Sequence, residues 1–247
     1  SDLMVVRRSV PDEQNGFFDV RFEWGEVLYM GPDPKGLSSL TEEAAFQLAD
    51  EVLAKNADVF RRLETALARP FFQLPDRDWK SFGWFEMTRS LAACSRLEAR
   101  RGKMQSALVR ALQLVRFGSR VQSGQGALVS YALSYLYIEA GVGELIALIQ
   151  GAGLSPGDLQ TCLGTLELAP DPHEAFREAA LMEYQAFSVL VDSVARGEDL
   201  RAGLPSGWRS LAYRKPLLKP NHTKRRFGEH VRKMRELACY PARHRAG

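Results

Sequence analysis

A chain of 247 residues, 45% hydrophobic and 26% charged, has the composition of a soluble globular protein of one large or two small domains. This excludes disorder along the whole chain, and the length supports a core that needs no covalent staples. The net charge is only +3, and Cys94, Cys162 and Cys239 are widely spaced, so neither a disulfide framework nor a structural zinc motif is indicated; reduced thiols fit a reducing compartment.

Residues 1–16 are polar and turn-rich. Phe18, Val20, Phe22 and Trp24 then alternate with polar residues, the period of a strand, while Phe18, Phe22 and Val27 following an Asn15 cap fit a helical face. Both readings of this segment stay open. The glycines and prolines of 31–36 end any element. Thr41 is a good N-cap, with Glu42 and Glu43 at the positive end of the helix dipole. Phe46, Ala49, Leu53, Ala57, Phe60, Leu63 and Leu67 recur at three- and four-residue steps and predict one helix that Pro70 ends. Residues 84–101 and 103–122 predict two more helices, broken at Gly102.

Residues 127–150 form the most apolar stretch. Charges near the middle of a bilayer are costly, and Glu139 and Glu144 interrupt this one, so it reads as a buried helix or helix pair, broken near Gly141 and Gly143. Ser155 as cap and Pro156 at the first position open another helix. A long helix covers 173–196, residues 198–221 are irregular, and a final helix covers 222–238 with Phe227, Val231, Met234 and Leu237 on one face.

The fold class is therefore all-α: antiparallel helical hairpins in an irregular, repeat-like stack, with a compact irregular bundle as the alternative. The organisation is an acidic irregular segment (1–39), a hairpin core (40–197), and a linker with a basic helix (198–247), in one continuous domain. Leu91 and Ala92, Arg101 and Gly102, and Ala107, Leu108, Ala111 and Leu112 together resemble a single tetratricopeptide hairpin, with no 34-residue recurrence after it. The order Val10 to Gly16, a helical middle, and Lys219 to Thr223 before a terminal helix is similar to a group of uncharacterised bacterial helical proteins. That resemblance implies a helical 17–28 and an N-terminal membrane anchor, and supplies no catalytic residues. The chain begins at Ser1 rather than at methionine, which is compatible with a preceding anchor or targeting segment.

Charge is distributed unevenly. Residues 201–247 hold 13 Lys and Arg and only two acids, whereas the first 60 hold 12 acids and five basic residues. In the final helix Lys224, Arg225, Arg226, Arg232, Lys233 and Arg235 flank the apolar line, a pattern suited to an anionic membrane surface or to capping a helical stack. Nucleic acid is disfavoured, because the tail has few aromatic residues for stacking.

Catalytic motifs are missing from the sequence. The four histidines form no HExxH or HxH pair, and no GxSxG, P-loop or GxGxxG is present. No cofactor is implied. Glu139 and Glu144 lie in apolar surroundings, and a buried carboxylate needs a partner, for which Arg110 or Arg116 is expected. Tyr131 and Tyr135 are one turn apart and, with these carboxylates, are candidates to line a groove for a peptide, small ligand or substrate. The reading that follows is a non-enzymatic helical interaction or scaffold domain binding a protein or peptide. The alternatives are anionic-surface docking through the basic helix, and a ligand or enzyme site in that groove.

Overall fold

The structure is a computed structural model that describes residues 10–22, 27, 41–74, 82–151, 154–196 and 219–238. It is all-α. After a single turn, Gly16–Asp19 (α1), come Glu42–Lys55 (α2), Ala57–Ala68 (α3), Phe82–Arg100 (α4), Met104–Gln122 (α5), Leu128–Gln150 (α6), Pro156–Glu167 (α7), Pro172–Arg196 (α8) and Pro220–Ala238 (α9). No strand occurs among the described residues; of the segment left open between strand and helix, only its start joins the single turn α1, capped by the Asn15 side chain, which accepts the Phe17 N–H, while Val20, Arg21 and Phe22 lie beyond the helix and residues 23–26 and 28 fall outside the described residues. The irregular reading of 198–221 falls almost wholly outside the described residues.

The chain divides into two compact units. The first holds the described residues of 10–124 and 130–170. Its largest cluster gathers Phe17, Val20 and Phe22 around Leu63, Trp84, Met87, Leu91, Leu114, Phe117 and Tyr137. Trp84 crosses Phe117 edge-on at 5.3 Å between centroids and donates its indole N–H to the Val20 carbonyl at 2.6 Å. Arginines secure the N-terminal segment. Arg62 donates to the carbonyls of Asp19 and Arg21, and Arg69 bridges the Asp19 carboxylate and the Glu13 carbonyl. Arg120 donates to the carbonyls of Leu67 and Arg69, where the C-terminus of α3 leaves acceptors unpaired.

The single helix predicted from Thr41 to Pro70 is instead two. The correction lies at Asn56, a buried residue at φ −96°, ψ 11°. The break gives each half its own target. Ala45, Ala49 and Val52 of α2 pack with Cys94 and Leu97 of α4, while Val59, Phe60, Leu63 and Ala66 of α3 enter the larger cluster. An unbroken helix carries a single apolar stripe and serves two targets less well.

The α4–α5 hairpin forms as predicted. Gly102 turns it at φ +76°, a left-handed conformation that favours glycine, and the Ser95 hydroxyl ties α4 to the Ala107 carbonyl at 2.9 Å. The break expected near Gly141 does not occur, because α6 is continuous. Gly141 serves instead for close approach: a Cβ there would lie 2.8 Å from the Val115 nitrogen of α5. Gly118 of α5 meets α6 in the same way, with a virtual Cβ 2.8 Å from the Ser134 carbonyl oxygen and 2.6 Å from Ile138.

The second unit pairs α8 with α9. Phe227 lies 4.2 Å from Phe187 and stacks at 11° on Tyr184, around the fully buried Ala180 and Val231. Lys224 pairs with Asp192 at 2.5 Å, and Glu183 accepts the Leu128 N–H at 3.3 Å. Leu237, expected on the inward face of α9, is 57% exposed, and Ala238 takes that place. The steps 227, 231, 234, 238 keep to the buried stripe, whereas position 237 sits about 100° away from 238 around the helix.

Candidate interaction surface

The four groove candidates lie on α6 and divide into two environments. Tyr131 and Tyr135 neighbour each other at 6.5 Å between ring centroids, with Tyr135 exposed, and Glu139 is exposed one turn further on. Glu144 faces the other way. It is 3% exposed, and its Oε1 accepts from Arg96 Nη2 at 2.6 Å and Nε at 2.7 Å. The two carboxylates therefore do not act together. The partner expected for Glu144 is also corrected. Arg110 binds Glu98 at 2.9 Å and lies over the Phe60 ring, and Arg116 reaches Thr165 at 3.5 Å. Arg96 reaches Glu144 from α4, a neighbour that no spacing within α6 reveals.

By length and composition α6 is the one helix among the described residues apolar enough to cross a membrane. In this fold its inward side, with Ser134, Tyr137, Gly141, Leu145 and Leu148, is buried, and its outward side carries Tyr135, Leu136, Ile146 and Ile149 in the open. The start of α7 is a capping box: the Ser155 hydroxyl accepts the Asp158 N–H, and the Asp158 carboxylate accepts the Ser155 N–H at 2.9 Å. These bonds hold the Asp158 carboxyl below its ordinary value, the backbone N–H of Ser155 contributing most. Cys162 and Thr165 face inward, and Cys162 joins Leu145, Leu148, Ala107, Leu108 and Ala111 in a second cluster. The flank beside them presents Leu159, Leu163 and Leu166, with Leu163 53% exposed. Their spacing of four and three residues forms one apolar row over two turns.

Sequence reasoning missed this row. The available signal was three leucines in helical register on a helix whose buried positions are filled by Cys162 and Thr165. A second signal lay in the charge pattern: from 121 to 176 the chain has six acids and neither lysine nor arginine.

The basic residues of α9 also separate. Lys224 turns toward α8 and pairs with Asp192; Arg235 is half-buried. Arg225, Arg226, Arg232 and Lys233 are exposed on the outward side, with Arg225 3.9 Å from Glu229. Burial pushes the Cys94 thiol up to about 12 and raises that of Cys162, which makes both poor nucleophiles. No group of three metal-binding side chains occurs among the described residues. The fold and surface together define an all-α protein with outward apolar rows. The chain matches no family model, and no characterised protein or solved structure is significantly similar to it.

Proposed function

We propose that this chain is a non-enzymatic helical interaction domain that binds a protein or peptide through the outer faces of α6 and α7. The observation that carries this reading is the concentration of exposed large apolar side chains there: Tyr135, Leu136, Ile146, Ile149, Leu159, Leu163 and Leu166. Leaving such residues half in water forgoes part of the about 1.5–3 kcal/mol that full burial of each would contribute, so a cluster of them marks a surface suited to a partner. The tetratricopeptide-like hairpin of α4 and α5 supports the same reading, since stacked hairpins commonly present partner surfaces. A photo-cross-linking residue placed at Leu163 in the full chain should capture discrete protein adducts in cells, while one at the exposed Gln105 should not. Equal yields at the two positions would refute the proposal.

A second reading assigns the outward face of α9 to an anionic surface. It is favoured by the exposure of Arg225, Arg226 and Lys233 while Phe227 is occupied by Phe187 and Tyr184. Reversing those three charges should abolish sedimentation with phosphatidylserine vesicles, and unchanged sedimentation would reject this reading.

A further inference from the structure

We infer that the leucine row of α7, with Ile146 and Ile149 at the end of α6, docks one cationic amphipathic helix of a partner protein. This rests on the interaction-domain reading above and names the chemistry of the partner.

Shape comes first. Leu159, Leu163 and Leu166 lie along about 10 Å of helix, which matches two turns of a partner that places apolar residues at i, i+3, i+4 and i+7. The surface is built before binding. Ser155 and Asp158 lock the first turn of α7, and Cys162 packs with Leu145 and Leu148, the inward neighbours of Ile146 and Ile149. Little ordering is required on docking, which favours affinity.

Charge then selects the occupant. Glu139 and Glu167 are the exposed charged side chains of α6 and α7, for Asp158 is half-buried in its capping box and Glu144 is buried against Arg96. Of the cations that reach α6 and α7 from α4 and α5, Arg96 is held by Glu144 and Arg116 is held toward Thr165. Lysine or arginine on the partner's flanks complements these carboxylates. A second copy of the same face would bring the carboxylates against each other, and an anionic bilayer would repel them. The α9 helix of a second copy is no substitute, because its apolar side is filled by Tyr184 and Phe187.

The probe is a labelled helical peptide of about 18 residues with leucine on one face and lysine on the other, set against a peptide with glutamate in place of each lysine. Fluorescence anisotropy with the full chain should show the lysine peptide binding about tenfold or more tightly than the glutamate peptide, with the gap narrowing as salt rises. Leu163→Asp should weaken the lysine peptide about tenfold or more. Glu167→Lys, an exposed change that leaves the core untouched, should weaken it about threefold or more and improve the glutamate peptide. Equal binding of the two peptides, or insensitivity to both substitutions, would overturn the inference. So would concentration-dependent dimers, or adsorption to neutral vesicles, that Leu163→Asp abolishes. Partner adducts at Leu163 combined with equal peptide binding would overturn only the charge assignment and leave the interaction-domain reading standing.

Discussion

The Asn15 side chain and the Gln73 backbone bond to each other in both directions. Asn15 Nδ2 donates to the Gln73 carbonyl at 2.9 Å, and Asn15 Oδ1 accepts the Gln73 N–H at 2.8 Å. The same Oδ1 accepts the Phe17 N–H at 3.1 Å, so one buried amide caps α1 and imitates a strand partner for the chain beyond α3. Asn15→Ala removes the three bonds that its side chain makes to the Phe17 and Gln73 backbones and should lower the unfolding free energy by about 2–4 kcal/mol in a urea titration. Asn15→Asp keeps the acceptor and loses the donor, and should cost less. Gly16→Ala should be comparably severe, because its Cβ would collide with the Ala66 carbonyl.

Two glycines two residues apart in α6 should respond to alanine with opposite signs. Gly141→Ala drives a Cβ against Val115 and Leu114, at 2.7–2.9 Å, and should destabilise by about 1–3 kcal/mol. Gly143 is exposed, with open space where a Cβ would go, and Gly143→Ala should stabilise by about 0.5–1 kcal/mol through helix propensity. Thermal denaturation of the two single variants checks the pair. Equal shifts would contradict the close crossing of α5 and α6.

Removing Arg96 should cost more than removing the pair. Arg96→Met strands the buried Glu144 carboxylate, whereas Arg96→Met combined with Glu144→Leu removes the stranded charge. Because the Arg96 side chain is 69% exposed, solvent screens part of the interaction, and the single loss should be about 1–3 kcal/mol. A double-mutant cycle on unfolding free energies measures the coupling, and additive losses would show that the pair does not hold α4 to α6.

The cap of α7 should weaken in acid. The folded-state pKa of Asp158 is depressed below 3.8 by its bonds from Ser155, so its stabilising effect is complete above the unfolded value and is lost as pH falls through the folded one. The Ser155 amide should therefore hold a constant chemical shift at neutral pH and move below about pH 4, while amide exchange in the first turn of α7 quickens. Asp158→Asn should remove that titration. A Ser155 amide that moves instead near neutral pH would disprove the assignment.

Much of the fold was legible in the residues. Thr41, Ser155 and Gly102 mark helix ends through bonds and dihedrals made within a few residues, and three- and four-residue apolar steps locate the helices between them. The candidate surface was legible only in part. Tyr131 and Tyr135 were found because one turn of helix separates them, while Leu159, Leu163 and Leu166 look in sequence like any core row.

The amino-acid sequence by itself determined that this protein is helical, where most of its helices start and stop, and that its charges are segregated, because caps, propensity and periodicity act locally. Tertiary structure alone decided that the chain breaks at Asn56 but passes straight through Gly141, that Glu144 meets Arg96, and that the α7 leucines face water while Cys162 faces the core. Each of those outcomes depends on a neighbour from another helix. An apolar row is the same row whether another helix covers it or not, and only packing establishes which rows remain available to a partner.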